Sequence, residues 1–176
     1  MISPQDFLVN WNEEIYGLIH YNEKIIHSFP FSKETKDFLI KAGFPESAPP
    51  FLTFESADND GGIRLREIQN ELGTMYDKFI YFGFTGSGDP ICIIEKQEKI
   101  VFLNNSDTYK EVFMNSSIQQ FAECVLVYSK MIDKAVEIND EDAFIDNNIP
   151  ECTISWLKEE LKKIDDKCME IESLYE

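Results

Sequence analysis

The fold class of this chain can be predicted from residues 79–117, FIYFGFTGSGDPICIIEKQEKIVFLNNSDTYKEVFMNSS. Short runs of aromatic and β-branched residues alternate here with turn residues, which is typical of strands. The runs lie at 79–82, 91–94 and 100–103. Because the links between them are too short for a crossover helix, they predict two antiparallel hairpins.

Two further segments extend the predicted sheet. Residues 51–54 have the same composition as the three runs, and residues 111–114 add one more strand. Between these segments, residues 63–76 predict an irregular stretch with a helical turn. We therefore expect a mostly antiparallel, twisted sheet of about four to six strands.

Two helices are predicted before the strands. The first begins at Ser3, a capping residue, and apolar residues spaced by three and four extend it to Ile19. The second, shorter helix begins at Ser32 and ends at Gly43.

Two more helices are predicted after the strands. Asn115-Ser116-Ser117 supplies caps for a long helix, and a last helix runs from about Thr153 to Leu174 after a polar, acidic loop. The order of helices, strands and helices predicts one α+β domain over residues 1–176, with the terminal helices covering the sheet.

The last helix carries an apolar seam. Its members recur at spacings of three and four: Ile154, Leu157, Leu161, Ile164, Cys168 and Ile171. Such a seam packs on the same domain, leaving a monomer, or joins two chains in a weak homodimer.

The chain is strongly acidic. It has 33 Asp and Glu against 16 Lys and Arg, a formal net charge of −17 and a pI of about 4.4. Its two arginines are Arg64 and Arg66. Such a charge repels nucleic acids and anionic membranes, attracts basic partners and also favours solubility.

The cysteines argue against a zinc or redox motif. They are far apart, at Cys92, Cys124, Cys152 and Cys168, with no Cys-x-x-Cys pair, so they are expected to be buried free thiols. The sequence shows no basic leader before an apolar stretch and no segment apolar enough to cross a bilayer. We expect a cytoplasmic protein without a cofactor.

One motif resembles a calcium loop. Residues 56–61, SADNDG, followed by Glu67, have the spacing of an EF-hand. However, residues 49–51, PPF, stand where the incoming helix is required, and Ser56 replaces the first carboxylate. We interpret the segment as an acidic turn after a strand, with no metal site.

A second motif is rich in glycine. Gly83, Gly86 and Gly88 precede Asp89 and Pro90, but no helix start or lysine follows as a phosphate loop requires. This order predicts a tight turn with a strand beginning at Pro90.

No sequence pattern identifies catalytic residues. His20 and His27 stand beside apolar residues and are interpreted as core or surface histidines. No pair of carboxylates has a diagnostic spacing, although 33 acidic residues leave a carboxylate-dependent hydrolase open. The protein is not expected to be an enzyme.

Several of these segments together resemble a known family. Residues 32–45, 81–83, 88–93, 101–104 and 112–117 follow one another as in the SUKH (Smi/Knr-like) superfamily of bacterial immunity proteins. The resemblance is strongest over residues 30–125. The final helix, from about residue 150, is similar to the closing helix of some members.

The resemblance implies a function and a partner. It implies an α+β fold and a protein that neutralises a polymorphic toxin made in the same cell, commonly a nuclease, by binding it directly and without catalysis. The negative charge suits a basic toxin domain, which it would steer toward the surface.

Four residues are candidates for partner binding. Asp89 and Asn115 match turn and cap positions of the family, while Asp58 and Asp60 are added for their charge and expected exposure. The insertion containing Asp58 and Asp60 and the acidic loop at 140–146 depart from the family pattern, so we regard both as candidate specificity elements.

Two other functions stay open at the level of sequence. A regulatory or scaffold module would bind endogenous proteins, and its gene would stand without a toxin neighbour. A carboxylate-dependent hydrolase would need a concave pocket holding a carboxyl group with a raised pKa.

Overall fold

The computed structural model describes residues 1–14, 16–140 and 148–169. The helices are α1 (Pro4–Asn10), α2 (Glu23–Ser28), α3 (Lys33–Lys41), α4 (Leu65–Ile68), α5 (Ile118–Asn139) and α6 (Glu151–Ile164). The strands are β1 (Leu18–Ile19), β2 (Phe44–Pro45), β3 (Ser47–Ala48), β4 (Leu52–Phe54), β5 (Ile63–Arg64), β6 (Phe79–Thr85), β7 (Pro90–Ile94), β8 (Ile100–Asn104) and β9 (Lys110–Asn115). These elements form the α+β fold that the sequence predicts.

Seven of these strands form one antiparallel sheet in the described residues. Its order is β3-β4-β6-β7-β8-β9, and β5 also pairs with β6. All the predicted strands and both hairpins are confirmed. The sheet exceeds the expected strand number because β3 and β5 have two residues each, too few to produce a sequence pattern.

Gly83 allows two neighbouring strands to approach closely. A Cβ at this position would lie 2.1 Å from the carbonyl oxygen of Thr53 on β4, and the β6–β7 ladder shifts register here. After β6 the chain turns tightly, Gly88 adopts a φ of 80°, and β7 begins at Pro90. The predicted tight turn, with a strand beginning at Pro90, is confirmed, and glycine suits both the close approach at Gly83 and the positive φ at Gly88.

The sheet separates two apolar clusters because alternate residues of a strand face opposite sides. On one side, residues such as Phe82, Ile93 and Ile100 pack against buried side chains of α1, α3 and α5. On the other side, Cys92 and Val101 pack with the residues around α4. The helical turn predicted within 63–76 is α4.

Helix α6 forms an outer layer on α5. Leu157 and Leu161 of the predicted seam are buried in one cluster with Cys124 and Met131 of α5. This part of the seam therefore packs within the chain.

The first predicted helix is too long. Helix α1 ends at Asn10, and Leu18 and Ile19 form β1, which pairs with β2. The pairing is close, since a Cβ at Gly43 would lie 1.9 Å from the Ile19 carbonyl oxygen. The pairing of β1 with β2 thus outweighs the helical spacing of the apolar residues up to Ile19. Helix α2, which follows β1, was not predicted.

The last predicted helix is also too long. It ends at Ile164, because the next residue, Asp165, is extended with a φ of −152°. Residues 170–174 of the prediction, and most of the loop at 140–146, lie outside the described residues.

The expectation of buried thiols is correct for two of the four cysteines. Cys92 and Cys124 are buried and Cys168 is half-buried, whereas Cys152 is exposed in the first turn of α6. No helix in the described residues is long and apolar enough to span a membrane.

Candidate functional site

Asp58 and Asp60 lie on an exposed turn after β4. The chain forms one 3-10 turn at Ala57–Asn59, and Asp60 then adopts a left-handed φ of 68°. Gly61 follows, where a Cβ would lie 1.7 Å from the Glu55 carbonyl oxygen. A strand rather than a helix leads into this turn, so the interpretation as an acidic turn after a strand is confirmed. Both carboxylates are available to a partner.

Asp89 uses its carboxylate within the fold. Oδ1 accepts a hydrogen bond from the Asn105 backbone N–H at 2.8 Å, and Oδ2 accepts one from Thr85 Oγ1 at 3.3 Å. These bonds join the turn between β6 and β7 to the end of β8. Asp89 is half-buried and lies far along β6 from Asp60, so the two candidates do not form one cluster.

Asn115, a candidate for partner binding, is largely buried. It is 4% exposed, and its Nδ2 donates to Cys124 Sγ and to Asp165 Oδ2, both at 3.4 Å. The residue ends β9 and precedes α5, so it points between the sheet and the helices. Its amide links the end of β9 to α5 and to the end of α6.

Ser116 and Ser117, the other two residues of the Asn-Ser-Ser motif, also form hydrogen bonds within the fold. The buried carboxylate of Asp165 accepts hydrogen bonds from Ser116 N at 2.6 Å and Ser116 Oγ at 3.1 Å. Ser117 Oγ accepts from the Gln120 backbone N–H and caps α5. Gln120 Nε2 donates to the Ile164 carbonyl at 2.9 Å. The motif therefore anchors the end of α6 to the start of α5.

Two thiols lie beside this anchor. A hydrogen bond with Cys168 and burial raise the pKa of Cys124, while the same hydrogen bond lowers the pKa of Cys168. On the opposite face of the sheet, burial raises the pKa of Cys92. Cys92 and Cys124 are thus kept as neutral core thiols.

Tyr81 is another inward polar group. Burial, together with the hydrogen bond that its hydroxyl donates to Glu55 at 2.5 Å, raises the pKa of Tyr81.

The two histidines lie apart from Tyr81 and Glu55. His27 is on the surface of α2, with its Nε2 3.3 Å from Glu23 Oε1. His20 is exposed just after β1.

An open groove of about 930 Å³ lies at one end of the sheet. Its borders are the loop at 49–51, the turn at 86–89, β8 with β9, and helices α5 and α6. Phe102 and Val112, neighbours across the β8–β9 ladder, both line it. Its lining is mainly apolar, and its charged residues are Asp89 on the rim and Lys158 of α6. We call this feature the sheet-end groove.

Phe51 stands at the rim of the sheet-end groove. It is 84% exposed, at the tip of the hairpin formed by β3 and β4. Its backbone has a φ of 118°, a region that side chains rarely adopt. A Cβ at Gly86 would lie 2.9 Å from the Phe51 Cβ, so the two hairpin turns are in contact.

The sequence profile of the SUKH-4 immunity protein family matches residues 13–173. The chain belongs to the SUKH-4 immunity protein family. The SUKH resemblance in the sequence is thereby confirmed. No curated protein and no solved structure matched the chain.

In this SUKH-4 protein the family match spans the acidic turn, the sheet-end groove and the anchor at Asp165. The sequence predicts the acidic turn, but not the exposure of Phe51 or the anchor at Asp165. Apolar neighbours place Phe51 in a predicted strand, and nothing in the pattern marks its side chain as exposed. Asp165 is one of two adjacent aspartates after a helix, which carries no distinguishing signal.

Proposed function

We propose that this SUKH-4 immunity protein acts in the cytoplasm by binding a basic toxin domain of the nuclease type and covering its active site. Its membership of an immunity family supports the role of neutralising a toxin. The observation that carries the choice of a basic toxin is the formal net charge of −17.

The ion pairs of the two arginines strengthen the argument from net charge. Arg64 is paired with Glu95, and Arg66 Nη1 lies 2.7 Å from Asp77 Oδ1. Neither arginine offsets the acidic turn, where Asp58 and Asp60 are exposed. A basic protein surface would therefore be attracted over a distance of about one Debye length, roughly 8–10 Å in physiological salt.

The first test is co-expression with the toxin domain encoded beside the gene. We expect the SUKH-4 protein to restore growth of cells that make this toxin, and the two purified proteins to form a complex. The association rate should fall at least about tenfold between roughly 0.05 and 0.5 M NaCl, because salt screens the steering field. If no neighbouring product is bound or neutralised, the proposal is wrong.

A pair of charge variants locates the steering surface. The double variant Asp58→Asn and Asp60→Asn should slow association by about two- to tenfold. The control, Asp133→Asn with Glu137→Gln, removes two exposed charges from α5 instead. Equal effects of the two variants would show that only the total charge matters.

A further inference from the structure

We infer that the sheet-end groove is the surface on which the toxin docks, and that it receives an apolar segment of the toxin flanked by Lys or Arg. The inference rests on the proposed function and adds to it the place of contact and the chemistry of the contacting segment. The acidic turn steers the partner, whereas the groove holds it.

Phe51 provides the first observation. An aromatic ring that is 84% exposed gains nothing from the fold, yet the backbone holds it outward with a φ of 118°. Its N–H donates to the Ala48 carbonyl at 3.2 Å, and Gly86 packs against its Cβ, so the loop has a defined shape. Strained residues of this kind are concentrated at binding sites, and exposed aromatic rings often become binding hot spots.

The groove beside Phe51 provides the second observation. Its floor is built from strand residues such as Phe102 and Val112, and its far wall includes Ile154 of α6, which is 37% exposed. The volume of about 930 Å³ lies near the top of the range of about 300–1,000 Å³ for ligand sites. Because the groove is open along its length and mainly apolar, it suits a protein segment with two or three apolar side chains.

The charge of the hairpin that carries Phe51 provides the third observation. Residues 42–63, which contain the hairpin tip, include four acidic residues and no Lys or Arg. Three of them, Glu46, Asp58 and Asp60, are exposed beyond the end of the hairpin opposite Phe51, and Asp89 lies on the turn that adjoins Phe51. The hairpin side of the groove is therefore acidic, which is complementary to an apolar segment with Lys or Arg on that side.

The decisive variant is Phe51→Ala, measured against the toxin domain encoded beside the gene. Because Phe51 is exposed, we expect this variant to fold normally, with an unchanged circular dichroism spectrum, and to bind the toxin at least about 30-fold more weakly. Ile154→Ser, on the opposite wall, should also weaken binding. The control is Met75→Ala, which removes another apolar side chain that is 71% exposed but does not line the groove. It should bind within about twofold of the wild type.

Each result separates the inference from the proposed function. If the wild type binds the toxin and both groove variants bind equally tightly, the docking surface is wrong while the proposed function stands. If the wild type binds no neighbouring toxin, both fail.

A second copy of this chain is the alternative occupant of the groove. Sedimentation of the wild type and Phe51→Ala tests it directly. A wild-type dimer that Phe51→Ala converts to a monomer, with toxin binding unchanged, would overturn the inference.

Discussion

Glu98 shows how one residue joins elements that are far apart in the chain. It lies in the link between β7 and β8 with a left-handed φ of 56°. Its carboxylate accepts hydrogen bonds from the backbone N–H and the hydroxyl of Ser32, both at 2.6 Å, and from Thr35 Oγ1. Ser32 also caps α3 through its own side chain, so Glu98 completes the cap from a distant hairpin.

Replacing Glu98 with Gln should lower the free energy of unfolding by about 1–2 kcal/mol, because the hydrogen bonds lose the charge that strengthens them. Urea unfolding followed by circular dichroism measures this change. The matched control is Glu71→Gln, at an exposed position, which should change stability by less than about 0.5 kcal/mol. Equal stabilities of the two variants would contradict the role given to Glu98.

Helix α6 shows how an element is fixed at one end by polar contacts and along its length by apolar ones. Leu157 and Leu161 pack on α5, while the buried carboxylate of Asp165 is held by Ser116. These contacts oppose sliding of α6 along α5, and the helix forms one border of the sheet-end groove. Movement of α6 would therefore change the shape of the groove.

Replacing Asp165 with Ala should lower the free energy of unfolding by about 1–3 kcal/mol, since it leaves the Ser116 N–H without its partner. Hydrogen exchange should also become faster in α6 than in α3. The neighbouring exposed residue offers a control, Asp166→Ala, which should leave both quantities nearly unchanged. Slow exchange in α6 of the Asp165→Ala protein would show that the apolar contacts alone hold the helix.

The whole molecule combines an apolar interior with a surplus of negative charge outside. Aromatic rings from different segments meet on one side of the sheet. Phe44 stacks on Phe54 at 4.4 Å between ring centroids, and Phe121 of α5 contacts both rings. Such contacts connect the N-terminal segments, the sheet and α5 into one core, while the exposed carboxylates give the surface its negative charge.

Residues 1–176 should accordingly unfold as one domain. The two tryptophans report on opposite ends of the chain, since Trp11 follows α1 and Trp156 lies on α6 under Lys134. In each of the single variants Trp11→Phe and Trp156→Phe, the fluorescence of the remaining tryptophan and the circular dichroism should show the same urea midpoint. An earlier fluorescence transition of Trp156 would mean that the C-terminal layer unfolds separately.

Local patterns predicted the strands well because their signals lie within a few residues. The alternation of apolar runs with glycine and proline was sufficient for β6, β7 and β8, and the hydroxyl caps were sufficient for the starts of α3 and α5. The same local reasoning failed at Leu18 and Ile19, whose spacing suits a helix but whose backbone pairs with β2. It failed again at Asp165, which follows the last residue of α6 and accepts a hydrogen bond from the distant Ser116.

Composition and short-range spacing were enough to predict the fold class, the acidic charge and the SUKH resemblance, because they are local properties of the chain. The inward position of Asn115, the exposure of Phe51 and the groove that both residues line became known only from the packing of the fold. Exposure depends on which segments pack together, and local patterns do not contain this information. Of two residues with similar neighbours in sequence, one can therefore be buried and the other exposed.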